Sequence, residues 1–381
     1  MDLQKLRKEI DEIDRELVEL FLRRMSVSAE VAEYKREAGM PVLDPSRERA
    51  LLERVSEMSG EEFERYTRTL YSTILDLSRS YQHKRLGQTS RTYEQIEDAI
   101  KNTPRVFPER ASVACQGVEG AYSQIATEKL FALPSIMFFS GFESVFTAIE
   151  EGMCRYGVLP IENSTAGSVK QVYDLMISKK FKIVRSVRIK IDHNLLAKDG
   201  VKLSEIKEIY SHPQAIAQCS DFLASLSPDV KITKVENTAT AARMVAESER
   251  RDVASLSSRS CAAQYSLSIV ESAVQNNGNN HTRFICITKE LEIYPGADRT
   301  SLMLVTPHRP GALYKMLSRF NAHGINLVKL ESRPLPDRDF EFMFYFDLEA
   351  SVYSSKLAEL LSELECECDE FTYLGTYSEV V

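Results

Sequence analysis

Residues 3–37, LQKLRKEIDEIDRELVELFLRRMSVSAEVAEYKRE, contain neither glycine nor proline. Their apolar residues recur at alternating spacings of three and four with one position skipped: Leu3, Leu6, Ile10, Ile13, Leu17, Leu20, Val27 and Val31. This periodicity predicts a single amphipathic helix, about 50 Å long at 1.5 Å per residue. The helices predicted downstream are too short to cover an apolar stripe of this length. We therefore expect a partner chain to cover the remainder.

The skipped position in the apolar stripe is Arg24. A cation that faces the core needs a partner, although a long arginine side chain can also reach solvent or pair with a core glutamate. Lys35 follows eleven residues later, close to three full turns, so the two cations share one helix face. Arg7 lies roughly 100° around the helix from Arg24, and we expect it to serve a different site.

Two more helices are predicted in the N-terminal part of the chain. Asp44 and Pro45 are typical of a helix N-cap and first helical position, and this second helix is predicted to end at Gly60. The third helix, over residues 61–86, has an apolar face that is predicted to point inward: Phe63, Tyr66, Leu70, Ile74, Leu77 and Tyr81. Residues 1–88 are therefore predicted to form a three-helix domain.

The pattern changes in the rest of the chain. Residues 89–110 mix polar, charged and proline residues without a clear apolar period, so they are predicted to be a linker that has room for a short helix. Over residues 111–292 short apolar strands alternate with helices, which predicts α/β sheets. Residues 299–381 follow the order strand, helix, strand, strand, helix, strand, which is the ferredoxin-like plan.

Composition excludes several classes of protein. A formal net charge of -8 argues against a large nucleic-acid interface. No apolar run approaches the roughly 18 residues of a membrane span, and the charged N-terminus is unlike a secretory signal. We therefore expect no membrane association and a cytoplasmic protein. The seven cysteines include no CxxC pair and the six histidines no HExxH motif, so neither disulfides nor a bound metal is predicted.

Polar residues occur at fixed positions within LRKEID, DPSRE and the three predicted helices: Arg7, Arg24, Lys35, Asp44, Arg47, Glu48, Ser78 and Gln82. In this set, residues 1–88 resemble the all-helical chorismate mutase family. The resemblance implies an intertwined dimer, in which the long helices of two chains interlock and one arginine of each site comes from the partner. The offset of Arg7 around the helix agrees with that arrangement.

The site implied by this resemblance would act by binding. Chorismate, a dicarboxylate with an ether oxygen, rearranges to prephenate without a nucleophile or a general base, so shape and charge are sufficient. Carboxylate binding is implied for Arg7, Arg24 and Arg47. Lys35 and Gln82 would donate hydrogen bonds to the ether oxygen as it becomes negative, and Glu48 and Asp44 would hold the ring hydroxyl or orient the cations. The alternative is a helical dimerisation domain with surface charges.

Residues 111–292 resemble prephenate dehydratase in four motifs: GVEGAYS (117–123), VLPIENSTAGS (158–168), YSHPQAIAQC (210–219) and HTRF (281–284). Each motif alone is weak, and a glycine-rich turn such as the first is as easily a plain tight turn. Together they are specific. The resemblance implies a two-lobed unit like that of periplasmic binding proteins, with the substrate in the cleft between the lobes.

The dehydratase reaction expels carbon dioxide and a ring hydroxyl together, so the protein must help hydroxide to leave. The resemblance places Thr282 near that hydroxyl, as a hydrogen-bond donor or proton relay. Arg283 either pairs with a substrate carboxylate or is structural. Other contacts to the substrate are implied for Asn163, Ser164, Ser211 and Gln218, with Glu162 as an orienting neighbour. His212 precedes Pro213 and is predicted to cap a helix or support a turn, since this chemistry has no proton for it to abstract.

Residues 299–381 resemble an ACT domain in PGALYKML (310–317) and LESRP (330–334). Gly311 lets a backbone approach a ligand closely, and the helix that begins after it offers N-terminal amides to a carboxylate. The resemblance implies phenylalanine as the ligand, bound between two ACT domains, and feedback inhibition of the dehydratase cleft. The implied contacts are Gly311, Ala312, Leu313, Glu331, Ser332 and Arg333. The alternative is a dimerisation module that binds no ligand.

These resemblances predict a bifunctional enzyme of phenylalanine biosynthesis that needs no cofactor and assembles as a homodimer or a higher even homo-oligomer. A two-lobed unit joined to an ACT domain is also compatible with an amino-acid or keto-acid sensor without catalysis. The presence of Thr282, Asn163, Ser211 and Gln218 beside a full mutase set favours the enzyme. A preference for the aminated substrate arogenate over prephenate stays open.

Overall fold

The computed structural model describes residues 2–86, 90–335 and 341–380. The predicted boundary between helical domain and linker, at residues 88 and 89, lies outside the described residues. The chain divides into two compact units. One consists of Met1–Glu94 with Ala358–Glu367, and the other of Gln95–Leu357 with Cys368–Val381.

The helical unit is built on α1 (Leu3–Glu37) and α2 (Pro45–Arg85). α1 confirms the predicted first helix, and the Asp2 side chain caps it by accepting a hydrogen bond from the Gln4 amide at 2.9 Å. α2 is interrupted at Gly60, whose φ of 67° and ψ of 167° are not helical. The predicted second and third helices are therefore the two halves of α2. The predicted linker contains α3 (Arg91–Asn102).

The apolar faces of the helical unit are exposed in the single chain. Leu3, Ile10 and Leu20 on α1 are between 56% and 61% exposed. Side chains of the third predicted helix are also exposed, between 40% and 70%: Phe63, Tyr66, Leu70 and Leu77. The prediction that these four side chains point into a core was wrong for one chain alone, because the helical segments of one chain leave both apolar stripes exposed.

The second unit contains a large mixed sheet. Within the described residues its ten strands are β1 (Arg110–Gln116), β2 (Leu133–Phe139), β3 (Tyr156–Asn163), β4 (Gly167–Ser168), β5 (Lys182–Lys190), β11 (His281–Thr288), β12 (Arg299–Val305), β13 (Asn326–Pro334), β14 (Phe342–Glu349) and β15 (Glu370–Val380). Their order is β13-β14-β12-β15-β5-β11-β3-β1-β2, with β4 paired to β3. The prediction of α/β sheets from residue 111 is confirmed.

A smaller sheet forms the second lobe. Its strands in the described chain are β6 (Asn194–Ala197), β7 (Glu208–Ser211), β8 (Lys231–Lys234), β9 (Val253–Ser257) and β10 (Ser268–Glu271), in the order β10-β6-β9-β7-β8. The helices of the two lobes are α4 (Tyr122–Leu130), α5 (Phe142–Glu150), α6 (Lys170–Lys179), α7 (Pro213–Gln218), α8 (Ser220–Ala224), α9 (Thr238–Glu247) and α10 (Arg259–Gln264), with a 3-10 turn at Leu203–Glu205. The chain crosses from the first lobe to the second after β5 and returns before β11, so two connecting segments join the lobes.

The C-terminal module has the predicted ferredoxin-like order. It runs β12, α11 (Ala312–Ala322), β13, β14, α12 (Ser355–Glu367), β15, and its four strands pair antiparallel as β13-β14-β12-β15. β15 also pairs in parallel with β5, so the module and the first lobe share one sheet. They share a core as well, where the rings of Tyr173 and Tyr345 meet edge to face with centroids 4.9 Å apart. In the described chain, no helix has the length and apolar character that crossing a membrane requires.

Gly375→Ala is expected to lower the free energy of unfolding of this unit by about 3 kcal/mol. A Cβ at this position would lie 2.3 Å from the carbonyl oxygen of Ile183 on β5, and the φ of 145° is one that favours glycine. Denaturant unfolding measures the change. Gly278→Ala is the matched control, because nothing lies within 4 Å of its added methyl group. Equal losses in the two variants would contradict the prediction.

Candidate active sites

The ends of β3 and β11 bring Asn163 and Thr282 together. Antiparallel pairing sets these residues directly opposite each other. Asn163 Nδ2 donates a hydrogen bond to Thr282 Oγ1 at 2.9 Å. Both residues lie where the first lobe meets the connecting chain, which is the place expected for a substrate cleft in a two-lobed protein.

The side-chain amide of Asn163 has one orientation that suits its neighbours. Its Oδ1 accepts hydrogen bonds from the backbone amides of Thr165 and Ala166, at 3.1 and 2.9 Å, and from the Thr165 hydroxyl at 2.7 Å. Nδ2 must therefore be the end that meets Thr282, whose oxygen is the acceptor. Among the described residues, none accepts the proton of the Thr282 hydroxyl. That proton is therefore available to a substrate.

Gln218, at the end of α7, connects the second lobe to this cluster. Its Nε2 donates to Thr165 Oγ1 at 2.9 Å, and its Oε1 accepts from Asn280 Nδ2 at 3.0 Å. His193 Nε2 lies 2.9 Å from the same Oε1. The predicted residues Asn163, Gln218 and Thr282 thus belong to one hydrogen-bonded cluster that spans both lobes.

Arg283 points to the face of β11 opposite Thr282, since side chains alternate along a strand. It pairs with Asp347 of β14, and its Nε lies 2.7 Å from Glu162 Oε1. Arg283 is 3% exposed and Asp347 1%. Burial acts to lower the pKa of Arg283, but the charge of Asp347, together with smaller contributions from Tyr377, Tyr345 and Glu162, raises the pKa above its ordinary value. Of the two roles left open for Arg283, contact with a substrate carboxylate does not fit this geometry. The structural role fits it.

The two predicted serines support the backbone. Ser211 is fully buried and donates to the carbonyl oxygen of Leu256 at 2.9 Å. The predicted contact of Ser211 with a substrate does not fit this position, because its hydroxyl is committed to the junction of β7 and β9. The Ser164 hydroxyl accepts from the His281 amide at 2.9 Å and donates to the Asn279 carbonyl at 3.1 Å. It fastens the turn after β3 to the chain that leads into β11.

His212 has the helix-capping role predicted for it. Its Nδ1 accepts a hydrogen bond from the Gln214 amide at 3.2 Å, and Pro213 occupies the first position of α7. Burial lowers the pKa of His212 below its ordinary value, which keeps Nδ1 unprotonated and able to accept.

In the helical unit, one face of α1 meets the second half of α2. Arg24 donates to the hydroxyl of Ser78. One turn further along both helices, Gln82 Nε2 lies 3.3 Å from Ser28 Oγ. Gln82 is buried, and its Oε1 has no hydrogen-bond partner in the part of the chain that the structure describes. The cation at Arg24 thus has a hydroxyl partner, and the predicted residues Arg24, Ser78 and Gln82 form one cluster.

Lys35 and Asp44 lie at the connection between the two helices. Lys35 Nζ donates to the carbonyl oxygen of Val42. The Asp44 side chain accepts from the Arg47 amide at 3.0 Å, which confirms its predicted place at the start of the second helix. Arg47 is exposed.

Glu48 forms an ion pair with Arg79, and Arg79 also pairs with Asp76. Glu48 was predicted to hold a substrate hydroxyl or to orient the predicted cations. It is instead paired with Arg79, which was not among the predicted residues. Arg7 is exposed near the start of α1, about 25 Å along the helix axis from Arg24. It does not join the cluster of its own chain.

The predicted effector residues fall into two groups. Gly311, Ala312 and Leu313 line a cavity of 360 Å³ at the start of α11. Gly311 has a φ of 81° and is the left-handed cap of this helix. Two residues of β13 instead bind the first lobe, since Glu331 accepts from Ser168 at 2.6 Å and Arg333 donates twice to Asp174 at 2.8 Å. Ser332 points to the exposed face between them.

Two protein-family models match this chain. The model for chorismate mutase type II matches residues 6–83, and the model for prephenate dehydratase matches residues 113–292. The bifunctional chorismate mutase/prephenate dehydratase of Aquifex aeolicus is 30% identical over 386 residues, covering 100% of this chain and 99% of the relative. The chain belongs to the bifunctional chorismate mutase/prephenate dehydratase family. It therefore has both activities, an isomerase and a lyase, and these place it in phenylalanine biosynthesis.

Solved structures are similar to a large part of this chain. A prephenate dehydratase from Arthrobacter aurescens, solved in complex with L-Phe, is 26% identical with a TM-score of 0.64, covering 70% of this chain and 89% of that one. GqqA, described as a novel type of quorum quenching acylase, is 28% identical with a TM-score of 0.64, covering 71% and 98%. The two-lobed fold expected of residues 111–292 is confirmed.

Three residues in the two sites of this chorismate mutase/prephenate dehydratase were missed from sequence. Thr165 lies inside the ENSTAGS motif, directly after the predicted residues Asn163 and Ser164, and that position was the sequence signal for including it. Asn280 directly precedes HTRF, and its buried amide bridges Asn163 and Gln218. Arg79 lies three residues after Asp76, a spacing at which helical side chains meet.

Proposed function

We propose that Thr282 donates a proton to the ring hydroxyl of prephenate in the dehydratase reaction. The observation that carries this proposal is the hydrogen bond from Asn163 to the Thr282 oxygen. It makes that oxygen an acceptor and leaves the hydroxyl proton for the substrate. A hydrogen bond received by the oxygen also stabilises the negative charge that develops there as the proton leaves. A threonine without such help is a very weak acid.

The reaction balances with this single donor. The bond between the ring and its carboxylate breaks and carbon dioxide leaves. The electron pair of that bond enters the ring, the bond from the ring to the hydroxyl breaks, and the ring becomes aromatic. The proton from Thr282 turns the departing hydroxide into water, and the threonine oxygen recovers a proton from solvent. Asn163 and Gln218 position the substrate in the cleft.

The mutase reaction is assigned to the cluster of Arg24, Ser78 and Gln82, together with Lys35 at the connection between the two helices. Arg24 binds a carboxylate of chorismate, and Lys35 and Gln82 donate to the ether oxygen as it becomes negative. Arg7, exposed and far along α1, serves the site of a second chain. The exposed apolar stripe of α1 supports that arrangement, because a stripe of this length is covered when two such helices pack together. The assembly is a homodimer or a higher even homo-oligomer.

Phenylalanine is the proposed inhibitor, bound in the cavity at the start of α11 in an ACT-like module. The first amides of a helix have no partner within the helix and attract a carboxylate. The Arthrobacter aurescens dehydratase was solved with L-Phe, which supports this choice of ligand. The ion pair of Arg283 with Asp347 of β14 connects the module to β11, the strand that carries Thr282.

Leu313→Ala is expected to raise the phenylalanine concentration for half-inhibition of the dehydratase about tenfold, because an apolar wall of the cavity is lost. The measurement follows prephenate and phenylpyruvate in time after addition of chorismate, over a series of phenylalanine concentrations. Leu317→Ala, one turn along the same helix and outside the cavity, is the matched control. Parallel series with supplied arogenate and with supplied prephenate measure the substrate preference of the dehydratase.

Each part of this proposal has an outcome that contradicts it. If prephenate accumulates without conversion, the two-lobed unit is a sensor. If phenylpyruvate forms at the same rate at every phenylalanine concentration, the module does not bind the inhibitor. If Leu317→Ala changes the inhibition as much as Leu313→Ala does, the cavity is not the binding site.

A further inference from the structure

His193 lies where the chain crosses from the first lobe to the second, and the roles assigned above do not use it. It is 3% exposed. Its backbone amide donates to Gln275 Oε1 at 2.9 Å, and its carbonyl accepts from the Val274 amide at 2.9 Å. Its ring Nε2 lies 2.9 Å from Gln218 Oε1. Nδ1 is buried and has no hydrogen-bond partner in the described part of the chain.

Two backbone amides determine the direction of the hydrogen bonds in this cluster. The amides of Thr165 and Ala166 donate to Asn163 Oδ1. The other end of that side chain, Nδ2, therefore donates to Asn280 Oδ1 at 2.8 Å. Asn280 must then present Nδ2 to Gln218, which accepts through Oε1 at 3.0 Å. Gln218 is left with Nε2 as the end that donates to Thr165.

The same reasoning determines the tautomer of His193. Because Gln218 Oε1 carries no proton, His193 must donate through Nε2. A neutral ring with its proton on Nε2 has none on Nδ1, and this suits a nitrogen that is buried without a partner, where an N–H would be unsatisfied. Burial lowers the pKa of His193 below its ordinary value and so favours the neutral ring.

We propose that His193 is a positioning residue of the dehydratase site. Its Nε2 proton holds Gln218, whose own Nε2 donates to Thr165. Thr165 donates to Asn163, and Asn163 donates to Thr282. All these hydrogen bonds run toward the Thr282 oxygen and leave its proton for the substrate. The inference rests on the proton-donating role proposed for Thr282.

His193→Asn removes the donor at Nε2. It is expected to lower kcat for prephenate dehydration about tenfold, the effect of one lost hydrogen bond in a buried cluster, with little change in KM. His193→Gln can place an amide nitrogen where Nε2 was, and is expected to keep kcat within about threefold of the parent. His323→Asn, the same change at the end of α11, is the matched control and is expected to leave kcat unchanged.

The double variant that carries both His193→Asn and Thr282→Ala distinguishes a positioning role of His193 from a general loss of packing. If His193 acts through Thr282, His193→Asn has no further effect on the residual turnover of the Thr282→Ala enzyme, since residues that act as a unit are not additive. Thermal unfolding of each variant checks that the two-lobed unit is folded. His193→Gln keeps the test decisive if His193→Asn fails to fold.

Three results would overturn the inference: full kcat in His193→Asn, a change confined to KM, or an equal further loss in the Thr282→Ala enzyme. Failure of the underlying proposal, the proton-donating role of Thr282, would give a different result. If Thr282→Ala alone retains normal dehydratase turnover, the donor role of Thr282 is wrong. If Thr282→Ala is inactive while a folded His193→Asn has full activity, only the role of His193 is wrong.

Discussion

Thr282→Ala is expected to lower kcat for prephenate dehydration about 10³-fold, a loss typical of a missing proton donor. The substitution removes the hydroxyl that receives the Asn163 hydrogen bond, together with the methyl group of the same side chain. Chorismate rearrangement should be unchanged, because the residues assigned to it lie in the helical unit. Turnover of supplied prephenate and of supplied chorismate, measured on the same preparation, gives both values.

Thr282→Ser is the matched control for this prediction. Serine keeps the hydroxyl and loses a methyl group, so it is expected to retain most of the dehydratase turnover. If serine and alanine reduce kcat equally, the methyl group rather than the hydroxyl is what the site requires. If neither reduces it, another group donates the proton to the leaving hydroxyl.

Lys35→Ala is expected to lower mutase turnover about 10³-fold, the effect of removing a donor aimed at charge that develops in the transition state. The protein itself should tolerate the change, since Lys35 Nζ contacts the carbonyl oxygen of Val42 at a helix connection and not a buried carboxylate. Conversion of chorismate to prephenate measures the loss. Dehydration of supplied prephenate is expected to continue.

Arg36→Ala is the control for Lys35→Ala. It removes a cation from the next position of α1, where the side chain is exposed and pairs with Glu33, and an exposed ion pair contributes little. Mutase turnover should therefore stay near that of the parent. Loss of both activities from either Lys35→Ala or Thr282→Ala, with the fold preserved, would refute two separate sites.

Some features of this protein follow from the sequence alone because they depend on neighbours along the chain. The spacing of apolar residues predicted α1 with both of its ends, and Asp44 with Pro45 marked the start of the next helix. The order of elements in the C-terminal module and the helix cap at His212 were also predicted correctly. Each of these depends on periodicity or on hydrogen bonds within one turn.

Other features were decided by the tertiary structure, because they join residues far apart in the sequence. Nothing in HTRF shows that Arg283 meets Asp347, which is 64 residues away, rather than a substrate. The alternation of β13 turns Glu331 and Arg333 toward the first lobe, and only the position of that lobe gives them partners there. The pairing of β15 with β5, and the cluster that joins His193 to Thr282, likewise exist only once distant strands are side by side. Local spacing determines which face a side chain occupies, but the folded chain decides what that face meets.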